Sequence, residues 1–360
     1  MKIYTFNASP NTRVEILWSL RAKNRDKMFK PFIDRTSLRE VDSILKCDLA
    51  IYPQKAFDPE TLVFDDSIFV ESETAARHNN PLIIDATSDS DRFLNLTQAH
   101  ILRCGLYKSL QQPFETECPF WSNGRTRSKL DLLDLLSKGK KPTVSFCGTI
   151  SSVGRLSQLV KTSLPTNISK LVLSQGKYSR ITDIRITEGM SLQLREMALK
   201  ILTSDRRIDT FFEITNPARS YYLSDDLNKQ FLENLFVRNI SKCDYVLCIR
   251  GTGNYSGRLY MALNAGRIPV VLDTDVVIPH EEKLFLVKVP VQSLSNIGDF
   301  IANHFEETTE AERMAMKTNT RYVFNYIIAP EKYLPRFLNH VATKNRLEAQ
   351  KIRKTNFVIF

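Results

Sequence analysis

Residues 243–279 read CDYVLCIRGTGNYSGRLYMALNAGRIPVVLDTDVVIP, and this stretch decides the fold. The apolar run over 245–249 predicts a buried strand, and a Gly-containing loop over 250–255 follows it. Residues 256–266 predict a helix closed by Gly266, and 268–272 predict a second apolar strand. An acidic loop with Asp273 and Asp275 then leads to Pro279. Strand, loop, helix and strand in this order make a βαβ crossover, and α/β sheets bind ligands beyond the carboxyl ends of such strands. Arg250 and Arg258 flank the start of the helix. Free backbone N–H groups, the positive end of the helix dipole and two guanidiniums make an anion site. Phosphate is the best match, because guanidinium pairs with it through two hydrogen bonds. An ordinary βαβ turn with solvated arginines is the plainer alternative, and the residues alone leave both open.

Working outward, the first third alternates short apolar runs with helical patterns. Strands are predicted over 2–6, 48–52, 82–84 and 100–103, and helices over 12–23 and 70–78. Apolar runs this short, bounded by polar turns, suit a parallel sheet covered on both faces. Residues 122–142 change character, with a Ser-Asn-Gly turn, a short amphipathic helix over 129–137 and a closing Gly-Lys-Lys-Pro. The domain boundary is placed there, near 138–142. A second α/β pattern follows: strand 143–147, loop 148–152, helices 153–162 and 190–203, strand 209–214 and helix 224–240. After the central βαβ come a strand over 284–289 and helices over 292–304, 309–327 and 330–355. The fold class is α/β, with two Rossmann-like, doubly wound domains over 1–140 and 141–330 and a terminal helical segment over 331–360.

The 360 residues are 42% hydrophobic and 25% charged, enough to bury two cores. A net charge of +10 suits phosphorylated ligands, anionic glycans, membrane surfaces or nucleic acid. No arginine-rich run, zinc-finger spacing or aromatic RNA-binding signature is present, so nucleic acid is set aside as a partner. Lys344, Arg346, Lys351, Arg353 and Lys354 concentrate basic charge near the end, either as a membrane contact or as a solvated helix face. The 6 cysteines form no CxxC pair and most sit in apolar, strand-like surroundings, as buried free thiols of a reducing compartment do. Asn95, Asn167 and Asn254 open glycosylation sequons, read as chance matches. Residues 1–6 read as a strand rather than a signal peptide, and no apolar run is long enough to span a bilayer. A cytoplasmic protein, working at the inner face of a membrane if at any, is expected.

The stretch RGTGN-YSGRLYMALNAGRIPVVLDTDVVIP resembles the signature of exostosin-like glycosyltransferases. The likeness is carried by Arg250, Gly251, Asn254, Ser256, Arg258, Gly266, Ile268, Pro269, Val270, Ile278 and Pro279. Elsewhere it is weaker. Phe146-Cys147-Gly148-Thr149 followed by Arg155 is similar to the opening of the family's C-terminal half. Residues 81–85 with Asp89, and 101–103 with Tyr107-Lys108-Ser109, look like N-terminal segments of bacterial members.

The resemblance implies a GT-B architecture, two Rossmann-like domains facing a cleft, with the last helix crossing back to the N-terminal domain. It implies transfer of a sugar, with inversion and without a metal ion or other cofactor. The donor would be a nucleotide diphosphate sugar, UDP-sugar first, and the acceptor a glycan or lipid-linked glycan. Arg250 and Arg258, with the amides of 256–258, would clamp the leaving diphosphate. Ser256 either caps the helix, bonds a phosphate oxygen, or both. Arg219 and Arg155 are further phosphate candidates, with ordinary surface arginines as the alternative. For the acceptor hydroxyl, Asp85 and Asp89 are the candidate bases, and His280 is a third group near the signature loop. One departure stands out. Most relatives carry an acid three positions after the signature arginine, where this chain has Met261. Such an acid holds ribose hydroxyls, so Asp273 and Asp275 are candidate substitutes. The alternative function is a non-catalytic nucleotide- or glycan-binding relative.

Overall fold

The computed structural model describes residues 1–6, 14, 17, 38–54, 56, 65–89, 94, 96–135, 139–150, 184–215 and 226–357. The chain divides into two compact units. The first comprises Met1–Cys104, Gln111–Cys118 and Ile328–Phe360, and the second Gly105–Leu110 and Pro119–Ile327.

The first unit is built on strands β1 (Lys2–Tyr4), β2 (Arg39–Glu40), β3 (Leu49–Ile51), β4 (Leu82–Asp85), β5 (Ala99–Arg103) and β6 (Glu115–Glu117). Their order is β2-β1-β3-β4-β5-β6 and every pairing is parallel. Helix α1 (Ser67–Arg77) buries Ile68, Ser72 and Ala75. Ile68 and Ala75 join Tyr52, Leu82, Ile84 and Ile101 in one core. At the edge, Arg103 pairs with Glu115 at 3.2 Å, both side chains buried. A charge pair here costs desolvation that its own hydrogen bonds must offset, and Glu115 also accepts from the Gln112 amide at 3.1 Å.

The second unit carries helix α2 (Gly124–Asp131), strand β7 (Thr143–Gly148), helix α3 (Ile184–Ser204), strand β8 (Asp209–Ile214) and helix α4 (Asp226–Ser241). The central crossover follows as β9 (Tyr245–Cys248), α5 (Gly257–Asn264) and β10 (Ile268–Asp273). Strand β11 (Val287–Pro290) and helices α6 (Ile297–Glu307) and α7 (Glu310–Val323) complete the unit. The last helix, α8 (Pro330–Phe357), belongs to the first unit, where the Tyr333 hydroxyl donates to the Glu117 carbonyl. The sheet order is β11-β10-β9-β7-β8, again wholly parallel. From β7 the chain winds one way to β8 and the other way to β9, β10 and β11. The winding therefore reverses between β7 and β9, and that is the switch point of a doubly wound sheet. Val144, Phe146, Tyr245, Leu247, Val270 and Leu272 form the heart of its core. Two parallel sheets, each in its own unit, are the α/β class that the sequence predicts.

Some boundaries differ. The helix predicted over 129–137 starts at Gly124, because the Asn123 side chain caps it by accepting from the Thr126 amide. Asn123 and Arg125 both bond the buried Glu233 carboxylate on α4, at 2.6 and 2.5 Å. This tie places the stretch with the second unit, so the chain changes unit at Pro119 rather than near 138–142. Segment Gly105–Leu110, expected in the N-terminal domain, also sits in the second unit. Lys108 donates its amide to the Asp275 carbonyl at 2.8 Å, and Val277 donates to the Leu106 carbonyl at 3.0 Å. The helix predicted over 309–327 ends at Val323 and gives way to a π-turn over Phe324–Ile328. The predicted helix over 153–162 lies outside the described residues, as does most of that over 12–23. Among the described residues no helix is long and apolar enough to cross a membrane.

Candidate functional site

The switch point of the second unit is closed by a residue that no motif announces. Arg195, on α3 and only 9% exposed, donates Nη1 to the Thr149 carbonyl at 3.0 Å and Nη2 to the Arg250 carbonyl at 2.8 Å. Thr149 follows β7 and Arg250 lies just past β9. One guanidinium fork thus ties together the two loops that flank the crevice.

Arg250 itself turns into its own loop. It is buried, and its Nη1 donates to the Tyr107 hydroxyl at 3.0 Å and to Asn254 Oδ1 at 3.2 Å. Its Nη2 donates to the Thr252 carbonyl at 2.8 Å and its Nε to the Gly251 carbonyl at 3.3 Å. The Gly251 amide is engaged by the Tyr255 carbonyl at 2.8 Å. Asn254 is fully buried and joins three segments. Its Oδ1 accepts from Thr274 Oγ1 at 2.6 Å, and its Nδ2 donates to the Leu106 and Thr274 carbonyls. Arg250, Gly251 and Asn254 therefore shape the loop. A buried, hydrogen-bonded Asn254 also offers no acceptor for a glycan in the folded chain. Gly105, at φ 83°, lies against the Asn254 amide so closely that a Cβ would come within 2.8 Å of it.

The first turn of α5 is open in the hydrogen-bonding sense. Ser256 holds the N-cap position with an extended backbone, but its side chain makes no cap bond. Its buried Oγ meets no hydrogen-bond partner among the described residues and faces a small cavity lined by Cys248, Leu259, Val271 and Thr274. Leu259 donates its amide to the Ser256 carbonyl at 3.0 Å, so the amides of Gly257 and Arg258 are the ones left for another acceptor among the described residues. Arg258 leaves that turn toward β7. Its Nε donates to the Cys147 carbonyl at 2.7 Å, and its guanidinium lies 4.3 Å over the Phe146 ring. Burial holds its pKa below the ordinary arginine value, against the Cys248 and Cys147 sulfurs, which raise it. Arginine remains charged under such a shift. Among the described residues no carboxylate pairs with it. A half-buried cation without a carboxylate partner among the described residues, beside an uncapped helix start, is a site that an anion completes.

The acids of the loop are otherwise occupied. Asp273 pairs with Lys288 at 3.1 Å and accepts from the Asp275 amide at 3.1 Å. Lys288 also reaches Glu281 at 2.6 Å. Asp275, at φ 63°, accepts from the Ser109 amide at 3.1 Å and from its hydroxyl. Both acids anchor segments of the second unit rather than standing open for a ribose. Met261 is half-buried on α5. His280 sits in a left-handed turn 3.7 Å from Glu282. In the first unit the buried Asp85 carboxylate accepts from the Thr87 amide at 3.0 Å and from its hydroxyl, closing the turn after β4, while Asp89 is exposed. Arg155 and Arg219 lie outside the described residues.

The cysteines are free thiols. Desolvation pushes Cys47 and Cys147 up to about 11 and Cys243 to about 12, which suits packing and not nucleophilic chemistry. Arg195 escaped the sequence reading because its role depends on two carbonyls distant in the chain. Tyr107 stood in a segment already singled out, and its bond to Arg250 had no signal in the spacing.

No known family matches the sequence, and no curated protein does. Among solved structures, the chain is similar to the sucrose-phosphate synthase of Thermosynechococcus elongatus at 14% identity and a TM-score of 0.30, covering 87% of this chain and 68% of that one. It is also similar to TarM at 12% identity and a TM-score of 0.30, over 81% of this chain and 50% of that one. A Staphylococcus aureus TarM mutant in complex with fondaparinux, alpha-GlcNAc-glycerol and UDP gives 12% identity and a TM-score of 0.33, over 86% and 52%. The chain thus spans about half the length of the TarM structures. At these identities and scores the likeness says nothing of activity.

Proposed function

We propose that the chain is an inverting glycosyltransferase of GT-B architecture. It moves a sugar from a nucleotide diphosphate donor, UDP-sugar first, to a glycan or lipid-linked acceptor, without a metal ion. The observation that carries this reading is Arg258: a half-buried guanidinium, with no carboxylate partner among the described residues, at the uncapped start of α5, beside the switch point of a doubly wound sheet. The exostosin-like wording around it supplies the reaction class.

In this reading, charge that grows on the leaving diphosphate falls on Arg258 and the first-turn amides. Preorganised donors of this kind stabilise a transition state more than a ground state. Arg250 and Asn254 fix the loop instead of touching phosphate. Asp85 and Asp89 are the two candidate bases for the acceptor proton, the first buried and bonded by the Thr87 amide, the second exposed. The basic residues of α8 give the protein a peripheral contact with an anionic inner membrane surface.

The test is a melting-temperature screen of purified protein against UDP, GDP, CMP and ADP, without and with divalent metal. A rise with one diphosphate, indifferent to metal and abolished in Arg258→Ala, is the expected result. No rise with any nucleotide would remove the donor site. A second reading, a non-catalytic relative, is favoured by Met261 and predicts nucleotide binding without sugar transfer.

A further inference from the structure

We infer that Arg195 is a positioning residue that sets the gap between the two loops of the candidate anion site. The inference rests on the donor-site reading above for its ligand, but not for its geometry. The Thr149 and Arg250 carbonyls emerge from adjacent parallel strands on opposite sides of the switch point. Nothing in a parallel ladder fixes their separation once the strands have ended. Arg195 does so with two bonds from one rigid plane, at 3.0 and 2.8 Å. The side chain comes from α3, a long helix whose Leu194, Ala198, Leu199 and Leu202 are embedded in the core of the second unit. The fork is therefore held by the sheet's packing and not by either loop.

The consequence falls on Arg258. Its guanidinium is placed by the Cys147 carbonyl and the Phe146 ring on the β7 side, while its backbone follows the Arg250 loop. The distance between the loops is therefore the distance over which Arg258 must reach. A change at Arg195 shifts the anion site without touching the anion. Lysine could not replace it, because a single ammonium on a flexible stem does not span two carbonyls in a fixed plane.

The experiment uses the full chain with Arg195→Met and Arg195→Lys, and reads amide hydrogen exchange without ligand and UDP affinity by calorimetry. Three amides report on the loops: Gly251 and Tyr255 are bonded within one loop, and Thr215 donates to the Gly148 carbonyl of the other. Arg195→Met is expected to speed exchange at all three amides and to leave the β10 amides unchanged. UDP binding should weaken at least about tenfold, the loss of a charged hydrogen bond. Arg195→Lys should lie between. Unchanged exchange in either loop, or an equal rise across the whole sheet, overturns the proposal. If Arg195→Met does not fold, Arg195→Lys decides: faster exchange in at least one loop supports it, and wild-type exchange at all three amides overturns it. Absence of UDP binding in the wild type would fell the donor reading alone, and the exchange rates would still decide for or against Arg195.

Discussion

The Nη2 atom of Arg258 occupies the space that a Cβ on Gly148 would need. Glycine at the end of β7 is thus the reason a guanidinium can lie flat across the strand end. Gly148→Ala adds a methyl group where the guanidinium stands, and at φ 157° it strains a backbone that side chains rarely adopt. The variant is expected to lose about 1 kcal/mol of stability or somewhat more. The larger effect falls on binding, since Arg258 must swing away. UDP affinity should drop by at least about tenfold, as when one charge-assisted hydrogen bond is lost. Titration of the variant with UDP at wild-type affinity would show that the anion does not sit on this guanidinium.

Lys317 is almost wholly buried and meets the Asp244 carboxylate, itself 6% exposed on its side chain, at the amino end of β9. Thr143 also donates to that carboxylate, at 3.2 Å. Removing the lysine takes away the cation bonded directly to that buried carboxylate. Lys317→Met is expected to destabilise the chain by about 3–5 kcal/mol, the cost of breaking one side of a buried pair. Urea unfolding measures it. A loss below 1 kcal/mol, on the scale of an ordinary surface pair, would contradict the assignment.

The central crossover was legible because three signals agreed over one stretch. The apolar run around Val246 and Leu247, the glycines of the loop and the Ile-Pro-Val strand each fix one element, and their order fixes parallel pairing. Asn123 carried a cap signal that competed with the apolar pattern farther along, and the cap prevailed because its hydrogen bond to Thr126 is local. Arg258 was placed correctly in the helix but not against Phe146, since β7 lies more than a hundred residues earlier. Arg250, Asp273 and Asp275 were read as ligand contacts from their chemistry, and Asn254 was a position of the resemblance. The structure gives them partners at long sequence distance: Tyr107, Thr274, Lys288 and Ser109. Residue type announces what a group can bond, and only tertiary structure says which bond it makes.

Met261 stands on α5 where the resembling family carries an acid. Asp273 and Asp275 are bonded to Lys288 and Ser109. Met261→Glu is therefore expected to tighten UDP binding by about tenfold, the worth of a hydrogen bond to a charged group. Pyrophosphate, which has no ribose, should bind as before. Calorimetry with the two ligands separates the cases. An unchanged UDP affinity would mean that the ribose is held by another residue, and a gain for pyrophosphate as well would mean that position 261 does not face a ribose.

His304 on α6 joins the core of the second unit through Tyr245, whose hydroxyl lies 2.9 Å from Nδ1. Desolvation lowers its pKa below the ordinary value of 6.5, and the nearby Arg313 charge lowers it further, with Glu307 acting weakly the other way. Arg313 is fixed beside the ring by bonds to the Phe305 and Thr308 carbonyls. The folded state thus binds a proton less readily than the unfolded chain. A depressed folded pKa gives stability that is fully present above the unfolded pKa and is lost as pH falls from there through the folded pKa. Melting temperature is expected to decline as pH drops below about 6.5. Other groups titrate in the same range, so the informative quantity is the difference from His304→Gln. That variant keeps a polar group near Tyr245 but cannot take up the proton. Its melting temperature should fall less steeply between pH 7 and pH 5 than that of the wild type. Parallel slopes for the two proteins would show that His304 carries none of the acid sensitivity.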